Sequence, residues 1–186
     1  MIAHGFYEEL VIAGFGGQGV LLAGKLTAQT AMVNEHQVTY MPSYGAEVRG
    51  GTANCMIVIS DEPIASPIIS HPTSLIALNK ASMDKFAPRL QSGGLLILNR
   101  SLIDERPSRS DIEILEIPAD EIAMELQSPK STNMVALGAY LQRRGLISPD
   151  VAVGALAAVL PRRHHDTIPV NMQALQRGSA WAMQHE

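Results

Sequence analysis

The start of this chain constrains its fold most. Leu10–Phe15 is a short apolar run with β-branched residues that stops in glycines. It leads into Gly19–Asn34, a stretch whose one charge is Lys25. A buried strand, a glycine turn and an apolar helix in that order need packing layers above and below, which predicts an α/β layered fold. The alternation continues. Further strands are predicted at Val38–Met41, closed by Pro42, and at Thr52–Ser60, Leu75–Leu78, Leu95–Asn99 and Glu113–Ile117. The last alternates in character and belongs at a sheet edge. Helices are predicted at Ser82–Leu90, capped by Ser82 and ended by Ser92-Gly93-Gly94, and at Ala119–Leu126 and Asn133–Arg143. Another runs from the Ser148 cap and Pro149 to Pro161, and the last covers Pro169–His185, after a polar break at Arg162–Thr167. With no repeat or linker, residues 1–186 read as one three-layer domain, a mostly parallel sheet with helices on both faces.

Composition narrows the function. Lys and Arg number 14 against 18 Asp and Glu, a net charge of −4, which argues against a nucleic-acid-binding face. Charged residues are 17% of the chain, where about 25% is usual for a soluble domain. Gly19–Asn34 carries one charge, and Asn133–Gln142 and Val151–Leu160 carry none. Helices apolar all round are buried on both sides, so the expectation is that these three meet partner subunits. The single cysteine, Cys55, excludes an internal disulfide or a multi-cysteine metal site and suits a reducing cytoplasm. It lies mid-strand among apolar residues and reads as an inert thiol. The N-terminus lacks the pattern of a signal peptide, and Val151–Leu160 is too short for a membrane span; no membrane association is expected. His164-His165-Asp166 lacks a third ligand placed by spacing and reads as a solvated break.

Two segments are dense in chemistry. Gly14-Phe15-Gly16-Gly17-Gln18-Gly19 fits G-x-G-x-x-G between a strand and a helix. Such a turn either presents helix N–H groups to a phosphate or lets strand and helix approach closely. A dinucleotide fold also wants an acid at the end of the second strand, but that region reads Thr39-Tyr40-Met41-Pro42, which argues against a stand-alone nucleotide-binding oxidoreductase. The second segment, Pro42–Thr52, holds Ser43, Tyr44, Gly45, Glu47, Arg49, Gly50 and Gly51. Arg49 either grips a phosphate or carboxylate in a bidentate fork or pairs with Glu47 to stiffen the loop. Ser43 and Tyr44 are either site residues or turn residues.

Taken together, Gly14–Val20, Pro42–Thr52 with Arg49-Gly50-Gly51, and Ser60-Asp61-Glu62-Pro63-Ile64 resemble the gamma subunit of 2-oxoacid:ferredoxin oxidoreductases. The wording of residues 43–54 most resembles the 2-oxoglutarate branch, although Ala46 and Val48 stand where proline and methionine are common in the family. The resemblance implies a multi-subunit enzyme that decarboxylates a 2-oxoacid on thiamine diphosphate and magnesium, passes electrons through iron–sulfur clusters to ferredoxin, and forms an acyl-CoA. It implies alpha, beta and ferredoxin-like partner subunits, and for this chain a share in coenzyme A handling and assembly through the two glycine-rich segments. Pyruvate, branched-chain and indolepyruvate enzymes are the alternatives. The sequence has no G-D-G thiamine motif, and one cysteine cannot hold a four-iron cluster, so that chemistry falls to partner chains.

Overall fold

A computed structural model describes residues 6–44, 52–145 and 147–185. The chain runs β1 (Tyr7–Phe15), α1 (Val20–Val33), β2 (Gln37–Tyr44), β3 (Thr52–Ser60), β4 (Ser74–Ala77) and α2 (Lys80–Phe86). It continues through β5 (Leu95–Asn99), β6 (Glu113–Ile117), α3 (Ala119–Glu125), α4 (Thr132–Arg144), α5 (Pro149–Val159) and α6 (Ile168–Gln184). Short 3₁₀ turns lie at Ala87–Arg89, Pro129–Ser131 and Arg162–Thr167.

The six strands form one sheet in the order β2-β3-β1-β4-β5-β6. The β1, β4, β5 and β6 neighbours pair in parallel, whereas β3 is antiparallel to both β1 and β2. Because side chains alternate along a strand, β1 feeds two cores. Leu10 and Ile12 join α1, α3, α4, α5 and α6 on one face; Val11 and Ala13 join Met83, Phe86 and Leu90 on the other. Helices therefore cover both faces, unequally, and β6 takes the predicted edge.

Two local expectations are corrected. Pro42 does not end the second strand: β2 runs through it to Tyr44, with Pro42 opposite Cys55. Since β2 is the outer strand, a residue without an N–H is tolerated there. Ser82 is not the cap of α2; Asn79 is, its side chain accepting from the Ser82 N–H at 2.9 Å. Ser148 does cap α5, accepting from the Asp150 N–H at 3.3 Å.

The reading of three apolar helices as partner-facing is also corrected. Every residue of α4 from Thr132 to Leu141 is buried by the chain itself, between the sheet and α6. α1 packs on β2 and β3 and is covered in turn by α5. What remains uncovered among the described residues is narrower: the outer face of α5 (Gly154, Ala157, Ala158), and Tyr7, Phe15, Met32, Val33, Ile68, Leu102, Met124 and Met183 elsewhere.

Cys55 lies under Gly24 of α1, where a Cβ on that glycine would fall 2.4 Å from its Sγ. Burial pushes its thiol up to about 12. The native chain at pH 8 is expected to leave Cys55 unmodified by a thiol reagent that labels the unfolded chain fully, since the thiolate is the reactive form. Fast native labelling would contradict this packing. His164 and His165 turn apart: Arg163 donates to His164 Nε2 at 3.2 Å, and His165 Nε2 donates to the Leu160 carbonyl at 3.0 Å.

Candidate functional site

The carboxyl ends of the parallel strands form one edge of the sheet, and the glycine turn stands at its centre. Gly17 and Gly19 have φ values of 100° and 72°, a region that side chains with a Cβ rarely enter. A Cβ at Gly17 would meet nothing, so its requirement is backbone conformation; one at Gly19 would also strike Asn133 Nδ2 at 2.5 Å. Gly19 is the N-cap of α1 and, lacking a side chain, leaves the first-turn N–H groups without a side-chain cap. Such uncapped donors at a positive helix end favour an anion. A groove of about 290 Å³ opens here, lined by Phe15, Gly16, Gly17, Gly19, Val20, Leu21, Leu22 and Ala53.

Sheet register brings the second segment to the same edge. Gly14 lies opposite Ala53 and Phe15 opposite Thr52, while Ser43 lies opposite Asn54 and Tyr44 opposite Ala53. The last residues of β1 and β2 therefore flank the first residues of β3. Gly45, Glu47, Arg49, Gly50 and Gly51 lie outside the described residues, but β2 ends and β3 begins beside the glycine turn.

Gln18 commits its side-chain amide to the protein. Its Oε1 accepts from the Phe15 N–H at 2.7 Å and from Asn79 Nδ2 at 3.1 Å, and its Nε2 donates to the Leu78 carbonyl at 3.4 Å. It braces the turn from within and does not line the groove, whose aromatic wall, Phe15, is 40% exposed. Asn133, at the start of α4, donates to the Gly19 carbonyl at 2.9 Å, while its buried Oδ1 has no protein partner. A buried acceptor left unpaired costs roughly 1–3 kcal/mol. Nothing in the local sequence marks Asn79 or Asn133 as site residues. Asn133 is 114 residues from Gly19, and no local spacing signals such a contact.

The sheet order differs instructively from that of a dinucleotide-binding domain, where the second strand lies beside the first. Here the antiparallel β3 lies between β1 and β2, and β2 ends in Ser43 and Tyr44 without an acid. Among the described residues, no acid stands at the end of β2, where that fold holds the ribose.

At the centre of that edge the glycine turn stands beside the end of β2 and the start of β3. The protein belongs to the pyruvate ferredoxin/flavodoxin oxidoreductase family, whose pattern matches residues 9–181. It is 34% identical over 172 residues to the ketoisovalerate oxidoreductase subunit VorA of Methanothermobacter marburgensis, covering 92% of this chain but 36% of that one. It is 30% identical over 174 residues to the 2-oxoglutarate synthase subunit KorC of Methanocaldococcus jannaschii, covering 92% of this chain and 91% of the relative. Its fold is similar to the keto/oxoacid ferredoxin oxidoreductase gamma subunit of Geobacter sulfurreducens, with a TM-score of 0.85 at 27% identity over 97% of this chain and 98% of the other. The chain thus spans about a third of the VorA relative and nearly all of the KorC and gamma-subunit relatives.

Proposed function

We propose that this chain serves as the gamma subunit of a thiamine-diphosphate-dependent 2-oxoacid:ferredoxin oxidoreductase, with 2-oxoglutarate the favoured acid, and contributes coenzyme A handling and assembly. The observation that carries the reading is that the glycine turn, the end of β2 and the start of β3 meet on one sheet edge. The fit to coenzyme A rests on the chemistry present: uncapped helix N–H groups for a phosphate and an adjoining groove. The fit to the redox groups fails on this chain, because the one cysteine is buried with a raised pKa. Thiamine diphosphate would supply decarboxylation, and iron–sulfur clusters electron transfer to ferredoxin, from the alpha, beta and ferredoxin-like subunits. Phe15, Leu102 and the outer face of α5 are the apolar surfaces offered to those partners.

The 2-oxoglutarate assignment is favoured by the KorC relative, which matches this chain over nearly its whole length. VorA, at 34% identity, favours a branched-chain acid as the second reading. A substrate panel on the purified complex separates the two. A cytoplasmic placement belongs to this proposal and is favoured by a lone thiol that suits a reducing compartment. Among the described residues no helix is long and apolar enough to cross a membrane.

The test of the coenzyme A role is Arg49→Lys in the assembled complex. Lysine keeps the charge and loses the bidentate fork. Loss of one charge-assisted hydrogen bond of about 1.5–3 kcal/mol raises the half-saturating coenzyme A concentration about 10- to 100-fold, with the decarboxylation half-reaction near wild type. If Arg49 only pairs with Glu47 in an exposed loop, the change is ~0–1 kcal/mol and coenzyme A dependence stays put.

A further inference from the structure

Asp120, on the first turn of α3, is the only charged member of a hydrogen-bonded circuit that returns to the glycine turn. Its Oδ2 accepts from Asn99 Nδ2 at 2.7 Å, and Asn99 Nδ2 also donates to the Leu78 carbonyl at 3.2 Å. The same Leu78 carbonyl accepts from Gln18 Nε2, and Gln18 Oε1 holds the Phe15 N–H. On the other side, Asp120 Oδ1 accepts from the Thr132 hydroxyl at 3.1 Å. The next residue, Asn133, donates to the Gly19 carbonyl. Gln18 and Gly19 are neighbours in the chain, so the circuit closes. It spans the carboxyl ends of β1, β4 and β5 and the starts of α3 and α4, and grips the turn on both flanks.

The chemistry of Asp120 suits a junction. Among the described residues no cation forms an ion pair with it. Its charge is met instead by two side-chain donors and the N-terminus of α3, where a carboxylate is favoured. Its backbone N–H is also anchored, donating to Ser101 Oγ at 3.0 Å. A carboxylate accepts from both sides at once, which lets it join Asn99 and Thr132 without a competing proton.

We infer that Asp120 is a positioning residue for the glycine turn, holding Gln18 through Asn99 and Leu78 and holding Gly19 through Thr132 and Asn133. The role reaches any ligand only through the turn, and the ligand itself rests on the coenzyme A reading above. Two substitutions separate connectivity from charge. Asp120→Ala removes the junction. Asp120→Asn keeps it: the amide oxygen still accepts from Asn99, and the amide nitrogen donates to the Thr132 hydroxyl, whose proton is free to point to the Pro129 carbonyl at 3.1 Å.

The experiment is NMR-detected amide exchange on the full chain. It is read at Phe15 and Gln18, whose N–H groups are bonded within the turn, and at Ala23, whose N–H bonds to the Gly19 carbonyl. Amides of Leu10 and Ile12 in β1 serve as the reference. Asp120→Ala is expected to speed exchange at the turn amides at least 10-fold relative to the reference, and Asp120→Asn to restore it to within about 3-fold of wild type. Acceleration of all amides alike, no change at the turn, or an Asp120→Asn variant as loose as Asp120→Ala would overturn the role. In the assembled complex, Asp120→Ala should raise the half-saturating coenzyme A concentration with the decarboxylation half-reaction unchanged. A wild-type complex without coenzyme A dependence would remove the ligand reading, while the exchange result decides the positioning role on its own.

Discussion

Gly138→Ala and Gly178→Ala are each expected to lower the stability of the chain by about 2–3 kcal/mol, although alanine is the better helix former by about 1 kcal/mol. The cause is the crossing of α4 and α6. A Cβ on Gly138 would fall 2.0 Å from the Leu175 carbonyl oxygen, and one on Gly178 would fall 1.9 Å from the Val135 carbonyl oxygen. Both obstacles are backbone atoms, which have no rotamer to escape into. The helices must separate, and α4 cannot retreat because its other side is packed on the sheet. Separation also loosens the contacts of Val135 and Leu175, both fully buried. Because either methyl opens the same gap, the double variant should lose less than the sum of the singles. Gly154→Ala is the control: nothing lies within 4 Å of its new methyl on exposed α5, and it should gain about 0.5–1 kcal/mol. Denaturant unfolding with an unchanged slope measures all four. A Gly138→Ala variant as stable as wild type would show that the two backbones do not approach this closely.

The same crossing shows what the sequence hides. The low charge of residues 133–142 was legible, but not that α6, folding back over it, would do the covering. Strand existence was plainer, and β3, β5 and β6 match their apolar runs end to end, because a buried strand writes its limits in composition. Strand direction is not written locally, so the insertion of antiparallel β3 between β1 and β2 became visible only in the register. Pro42 misled because a proline stops most strands and is harmless on an outer one. At the site, the glycine turn was legible because a strand, a glycine cluster and a helix start are contiguous. Asn79, Asn99, Asp120 and Asn133, which brace it, come from four separate segments; each alone is an ordinary amide or acid. The start of β1 failed for the opposite reason. Glu8 reads as a solvent residue, so the apolar run starts at Leu10, whereas the strand begins at Tyr7 with Glu8 buried.

That buried carboxylate carries the other large effect. Glu8 is 1% exposed, and its partners come from the far end of α4. Arg144 donates from Nη2 to Oε2 at 2.6 Å and from Nε to both carboxylate oxygens at 3.1 Å, and the Tyr140 hydroxyl donates to Oε1 at 3.0 Å. Arg144→Ala leaves this charge inside with one neutral donor and should cost about 3–5 kcal/mol, the usual loss when one partner of a buried pair is removed. Replacing both by apolar residues, as in Glu8→Leu with Arg144→Met, should recover most of that loss, because the penalty lies in the stranded charge rather than in missing attraction. A double variant as unstable as Arg144→Ala would place the cost in packing instead. Tyr140 adds a pH signature. Burial, then the neighbouring Glu8 charge, raise its phenol well above its ordinary 10.0. A group whose pKa is higher folded than unfolded contributes fully below the unfolded value and loses that contribution as pH rises toward the folded one. Wild type should therefore lose stability above about pH 10 more steeply than Tyr140→Phe does. Equal alkaline slopes would mean that the phenol is not held against Glu8. A clamp between the first strand and the end of α4 fixes α4 at its far end, while Asn133 fixes its start against Gly19, so the helix that carries a site residue is tied at both ends to β1 or the turn that follows it.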